Sequence, residues 1–191
     1  MQIDWMNPWL IAAEVAAALI FVVSVFFYQR GHRHRTEGLR ARFGPEYGRA
    51  LAAHGSKRKA ERKLEDRETR MEILKIRQLA PAERERFLAD WQAVQSRFLD
   101  HPKGAVTEAD ELISALLLAR GYPRAEFDQR AADLSVNHPR LVQNYRSAHG
   151  VAVRMGRGES STEELRAAMI EYRSLFDVLV QAEPTPVRNV A

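Results

Sequence analysis

Twenty consecutive residues, 9–28, read WLIAAEVAAALIFVVSVFFY and carry a single charge, Glu14. A helix needs about 20 apolar residues to cross a bilayer core roughly 30 Å thick. The run therefore predicts a transmembrane helix, and it decides where the rest of the chain works. A cleaved signal peptide fits poorly. The preceding residues MQIDWMNP lack Lys and Arg, and bulky Phe26, Phe27 and Tyr28 stand where small residues would be needed. A buried core helix fits poorly too, because the remaining helices of a 191-residue chain are two-faced and short. Trp5, Trp9 and Tyr28 bracket the run as interfacial aromatics do. Glu14 reads either as an acid tolerated near one interface or as a contact to a partner helix.

Charge sets the orientation. No Lys or Arg precedes the run, whereas Arg30, Arg33 and Arg35 follow it at once, with His32 and His34 between them. Basic residues stay on the cytoplasmic side. The expectation is a single-pass protein of the bacterial cytoplasmic membrane, with residues 1–8 outside and the body in the cytoplasm. Residues 30–63 hold eleven Lys or Arg against three acids, so the net charge of +4 originates there. The segment 29–80 reads as a basic, charged helical neck. Arg30, Arg33, Arg35, Arg40 and Arg42 are its candidate lipid-binding residues, since a cation close to an anionic leaflet gains about 1 kcal/mol. Enforcing topology would need the same residues. Nucleic acid is a poor partner for the neck, because Lys57-Arg58-Lys59 has no interleaved aromatics and no groove-reading motif.

Beyond the neck, helix signals dominate. Residues 81–182 read as a small helical bundle and residues 183–191 as a tail, so the fold class is all-α. Ser161 and Glu164 form a capping box ahead of a stripe made by Leu165, Ala168, Met169, Tyr172, Leu175, Phe176 and Leu179. Phe87, Trp91, Val94 and Phe98 share another face. A helix capped by Thr107 should bury Leu112, Ile113, Leu116 and Leu117 and end at Gly121. Residues 56–79 carry few apolar positions, chiefly Leu64, Met71, Leu74 and Leu79, and alternating charges suggest a solvated helix.

The chemistry-bearing residues are sparse. Cysteine is absent, which excludes disulfides and thiolate chemistry. His138 and His149, eleven residues apart, would stand about 16 Å apart on one helix, too far to share a metal ion. No metal site and no cofactor is expected. Asp100, His101, Asp110 and His149 are the residues an enzyme reading would use, but no nucleophile or phosphate loop completes them. Arg120-Gly121-Tyr122-Pro123 reads as a helix stop and turn, which a recognition loop could also use.

Several phrases resemble an uncharacterised family of bacterial membrane-anchored all-helical proteins: Arg42-Phe43-Gly44-Pro45-Glu46-Tyr47, Trp91-Gln92-Ala93-Val94-Gln95-Ser96-Arg97-Phe98, Arg120-Gly121-Tyr122-Pro123, Ala131-Ala132-Asp133-Leu134-Ser135-Val136, and the stretch 165–176. The resemblance spans most of the chain. It implies this architecture and a bacterial origin, and it brings no activity or binding residue. The leading expectation is a binding or scaffold module that holds a protein partner, or a second copy, at the membrane. The alternatives are a sensor of anionic lipid or stress acting through the neck, and an enzyme with a site near Asp100 and His101.

Overall fold

The computed structural model describes residues 8–181; within its first helix, the side chains of residues 8–14, 25, 27–29 and 31–34 lie outside the description. Residues 1–7 and the tail from 182 also fall outside it. Among the described residues every regular element is helical: α1 (Pro8–Phe43), α2 (Pro45–His54), α3 (Lys57–Ile73), α4 (Pro81–Arg97), α5 (Pro102–Ala119), α6 (Phe127–Asn137), α7 (Leu141–Gly156) and α8 (Thr162–Gln181). The all-α fold is as expected. The chain divides into two compact units between Ala41 and Arg42.

The first unit is the greater part of α1. Its apolar run and the basic segment after it form one continuous helix. Val15, the five successive residues Leu19, Ile20, Phe21, Val22 and Val23, and Phe26 are each 49–70% exposed. Five successive helical residues point in every direction around the axis, so this stretch has no polar side. Among the described residues no helix is long and apolar enough to cross a membrane. The expected span of residues 9–28 lies partly outside the described side chains, Glu14 included.

The second unit is built on α8. Leu165, Ala168, Met169, Tyr172, Leu175, Phe176 and Leu179 are all buried, as their spacing predicts, and Val180 joins them. The box ahead of them closes both ways: Ser161 N–H donates to Glu164 Oε2 at 2.9 Å, and Glu164 N–H donates to Ser161 Oγ at 3.3 Å. α7 and α5 pack on α8, α4 packs on α5, and Trp91 of α4 stacks on Phe176 with centroids 4.8 Å apart. α5 begins at Pro102, five residues earlier than its expected cap. Proline at a first helical position has its φ already set and no N–H to lose. Thr107 consequently sits inside the helix and donates back to Lys103 O at 3.3 Å.

The neck is where the structure departs most from expectation. Residues from 42 onward belong with the bundle, not with a separate basic segment. Gly44, at φ +50°, turns the chain out of α1. α2 and α3 form a hairpin, and α3 packs on α6. Phe43, Tyr47, Ala50, Ala60, Leu64 and Met71 are buried. α3 is therefore solvated on one side only. Its few apolar positions share a face, and ion pairs complete the remainder of its contact.

Residues 74–80 run from α3 to α4 as a strap over the end of α5. Arg77 N–H donates to Arg120 O at 2.9 Å. The Arg77 guanidinium grips both carboxylate oxygens of Glu83 at 2.7 Å, and Glu83 Oε2 also accepts Ala80 N–H at 2.8 Å. The hydrogen bonds from Arg77 and from Ala80 hold the Glu83 carboxyl down at about 2. Beneath the strap α5 ends as its sequence suggests. Tyr122 N–H reaches Leu117 O and Gly121 N–H reaches Leu118 O, both at 3.0 Å, with Gly121 at φ +95°. This is the Schellman arrangement, which favours glycine at that position.

Candidate functional site

Two polar clusters lie inside the second unit. The first joins α5, α6, α7 and α8. Asp110 Oδ1 accepts the Tyr172 hydroxyl at 2.9 Å and faces His149 Nδ1 at 3.4 Å. Phe127, on the first turn of α6, covers His149 in a near-parallel stack with centroids 3.6 Å apart. Tyr145 is fully buried between Phe127 and Tyr172. Its hydroxyl oxygen accepts Arg130 Nε at 3.1 Å, and Arg130 Nη1 donates to Ala125 O at 3.1 Å.

The electrostatics favour one ionisation state. Burial pushes the Asp110 carboxyl up, but the hydrogen bonds from His149 and Tyr172 and the nearby charges of His149 and Arg130 carry it below its ordinary value. Burial, then the Asp110 charge and hydrogen bond, push the Tyr172 phenol far up. Tyr145 rises for the same first two causes. The cluster is thus one carboxylate held among neutral phenols. Neither phenol ionises near neutral pH.

A pH dependence follows. A carboxyl with a depressed folded-state pKa contributes stability above its unfolded value, near 4, and loses it as pH falls through the folded value. Asp110→Asn should therefore lower the melting temperature at pH 7 while flattening its decline below pH 4. An unchanged acid limb in the variant would show that other carboxylates carry that decline.

A half-open groove of about 330 Å³ lies against this cluster. Ser114, Ala115, Leu117 and Leu118 of α5 form one wall, Pro123, Arg124 and Ala125 form the loop side, and Arg130 of α6 completes it. Ser114 is tied by its Oγ to Asp110 O at 2.9 Å.

The second cluster sits where α2 and α3 meet α6 and α7. Glu46, in the first turn of α2, is 1% exposed. Its carboxylate accepts Arg146 Nε at 3.3 Å and Nη2 at 3.4 Å, and Arg67 Nη1 at 3.5 Å. Arg67 also donates to Ser135 Oγ at 3.2 Å. Burial draws the Arg67 guanidinium below its ordinary value, with Glu46 opposing and Arg146 adding to that shift. Alongside, buried Asp133 accepts Arg70 Nε at 3.1 Å and Gln129 Nε2 at 2.7 Å. A shallow, polar depression of about 410 Å³ opens over Glu46, Arg49, Gln143, Arg146 and Ser147.

No protein-family model, curated protein or solved structure matches this chain.

The residues singled out in the sequence are dispersed. Of the enzyme candidates, Asp110 and His149 come together, although 39 residues separate them. Asp100 and His101 stay on the exposed turn between α4 and α5, where His101 is the cap of α5. No hydrogen bond or ion pair joins them to Asp110 among the described residues. His138 caps the end of α6 instead, and burial lowers its pKa, with Arg120 adding to that. Among the described residues no group of His, Asp and Glu is placed to hold a metal ion. Arg120 and Tyr122 are buried and do not offer a recognition loop; Arg120 Nη1 donates to Leu179 O at 2.6 Å, closing the end of α8. Arg30, Arg35, Arg40 and Arg42 are all exposed, and Arg42 pairs with Glu68 at 3.0 Å. The side chains of Arg33, His32 and His34 lie outside the described residues.

Sequence reasoning missed Tyr172, Tyr145, Arg130, Arg67 and Glu46 as partners. One signal was present. Asp110 follows Ala109 and precedes Ile113 on the buried side of α5, and a carboxylate there needs a donor from a neighbouring element.

Proposed function

We propose that this protein is a membrane-tethered helical binding module. Residues 9–28 anchor it with the N-terminus outside, and the compact second unit holds a partner at the cytoplasmic face of a bacterial inner membrane. The observation that carries this reading is the exposure of five successive large apolar residues, Leu19 to Val23, on all sides of α1. Burying one such side chain is worth roughly 1.5–3 kcal/mol, so a helix apolar all round needs apolar surroundings all round. A bilayer supplies them. The absence of basic residues before the run and the presence of Arg30, Arg33 and Arg35 after it support the orientation. The resemblance to membrane-anchored helical proteins agrees with it.

A binding role is favoured over catalysis because the carboxylates Glu46 and Asp110 are each taken up by structural partners. Glu46 holds Arg67 and Arg146, and Asp110 holds Tyr172. These are devices that fix a shape. Anionic headgroups near Arg30, Arg33 and Arg35 would strengthen the tether. Arg40 belongs to the same exposed basic segment, and Arg42 already pairs with Glu68.

The test is carbonate extraction of bacterial membranes containing the full chain. Retention in the pellet is expected, with release on replacing Leu19, Phe21 and Val23 by Asp. A C-terminal fluorescent-protein fusion should be bright, and a C-terminal alkaline phosphatase fusion inactive. Carbonate release of the intact chain, or an active phosphatase fusion, defeats the proposal.

A further inference from the structure

The groove between α5, the loop at residues 122–126 and α6 holds a cation, Arg130, that pairs with no carboxylate among the described residues. Arg130 is partly buried, and its protein acceptors are both neutral: the Tyr145 hydroxyl and the Ala125 carbonyl. It forms no ion pair among the described residues, and Nη2 has no protein acceptor there. The anion nearest in effect is Asp110, whose accepting oxygen already serves Tyr172 and His149. Arg124, on the same rim, is exposed and likewise has no ion pair among the described residues. Elsewhere in this unit the partly buried guanidiniums of Arg67 and Arg146 each face a carboxylate. A partly buried cation without a counter-charge is costly, and this one is held in place by two neutral acceptors at the edge of a groove.

Apart from Ser114, the rest of the groove is apolar. Ala115, Leu117, Leu118, Pro123 and Ala125 line it, and Leu118 is 46% exposed. Its volume of about 330 Å³ admits about ten non-hydrogen atoms at roughly 30 Å³ each. The larger depression over Glu46 makes a poorer site, because Arg146 there is already bonded to Glu46 and to Asp128.

We infer that this groove binds a small organic monoanion, a carboxylate with a short apolar chain. The carboxylate meets Arg130 Nη2 and Arg124, and the chain lies along Leu117, Leu118 and Pro123. Planar guanidinium donors suit a carboxylate, and a mainly apolar pocket with a few convergent polar groups is the usual form of a small-molecule site. The inference concerns the second unit alone and does not depend on the anchor.

The test uses the full chain in phosphatidylcholine nanodiscs, with empty discs as the blank, titrated calorimetrically with hexanoate, 1-hexanol and acetate at pH 7.5. Hexanoate should bind one-to-one with a Kd on the order of 1 mM or tighter. Hexanol, lacking the charge, and acetate, lacking the chain, should each bind at least about tenfold more weakly. Arg130 also positions Tyr145, so Arg124→Gln is the deciding variant, since its side chain has no hydrogen bond or ion pair among the described residues. It should weaken hexanoate by about fivefold, and Leu118→Glu should weaken it further by repulsion. Equal affinity for hexanol removes the anion from the proposal, and equal affinity for acetate removes the chain. No hexanoate heat at 10-fold the expected Kd, or an unaltered Kd in Arg124→Gln, overturns it outright.

Discussion

Glu46→Ala is expected to destabilise the second unit by about 3 kcal/mol, the lower end of the 3–5 kcal/mol typical of breaking a buried ion pair. The lower end applies because the three contacts are 3.3–3.5 Å long and both arginines keep some solvent. The cost does not lie mainly in lost attraction. Removing the carboxylate leaves Arg67 and Arg146 facing each other at 19% and 13% side-chain exposure. Arg67 would keep Ser135, and Arg146 would keep Asp128 through a 3.4 Å contact with a highly exposed carboxylate. Glu46→Gln retains the shape and one acceptor, so it should cost less than alanine and still leave the two cations uncompensated. Combining Glu46→Leu with Arg67→Met and Arg146→Met should recover most of the loss, because an apolar replacement of similar volume removes the buried charges together. Denaturant unfolding of the full chain in nanodiscs measures all three. A cost below about 1 kcal/mol for Glu46→Ala would mean that water reaches the cluster and solvates both arginines.

The same cluster explains what could be read from the sequence and what could not. α8 was legible because its core contact repeats along one helix: a stripe from Leu165 to Leu179 behind a capping box is local information. α4 and the end of α5 at Gly121 were legible for the same reason. The attachment of α2 and α3 was not. Hydrophobic pattern weighs apolar residues, and α3 offers only Ala60, Leu64 and Met71 on its buried face. The rest of that contact is polar. Tyr47 donates to Glu61 at 3.0 Å, and Glu46 reaches Arg146, one hundred residues away. Charge counting placed Glu46 among the few acids of a basic neck, where it looked like dilution of positive charge. Burial turns it into the residue that joins the hairpin to α7. Asp110 and His149 show the same limit at the candidate site. Both stood among four enzyme candidates, but neither periodicity nor spacing could pair residues on α5 and α7 or add Tyr172 from α8. Asp100 and His101, adjacent in sequence and thus conspicuous, stay on an exposed turn.

Gly121 carries the second large effect, and here the cause is backbone. Two independent penalties fall on one added methyl group. At φ +95° a side chain is strained wherever it points, at a cost of about 1–2 kcal/mol for the left-handed region. A Cβ built there would also stand 2.5 Å from the carbonyl oxygen of Lys75. That oxygen belongs to the strap, which cannot simply step aside: Arg77 N–H is bonded to Arg120 O, and the Arg77 side chain is clamped on Glu83. Gly121→Ala should therefore cost about 3 kcal/mol or more, combining strain with displacement of packed backbone. Gly104, in the first turn of α5, supplies the control. An added Cβ there meets only His101 Cβ, at 4.0 Å, so Gly104→Ala should stabilise the helix by about 0.5–1 kcal/mol. The two variants make one chemical change, one inside α5 and one in the turn that ends it, with opposite expected signs. Amide exchange separates the causes within Gly121→Ala. If the strap is pushed off, the Arg77 amide loses protection selectively. If strain at the turn dominates, protection falls across α5 and the strap together. Equal stabilities for the two alanine variants would mean that the strap does not lie against the Schellman turn in solution.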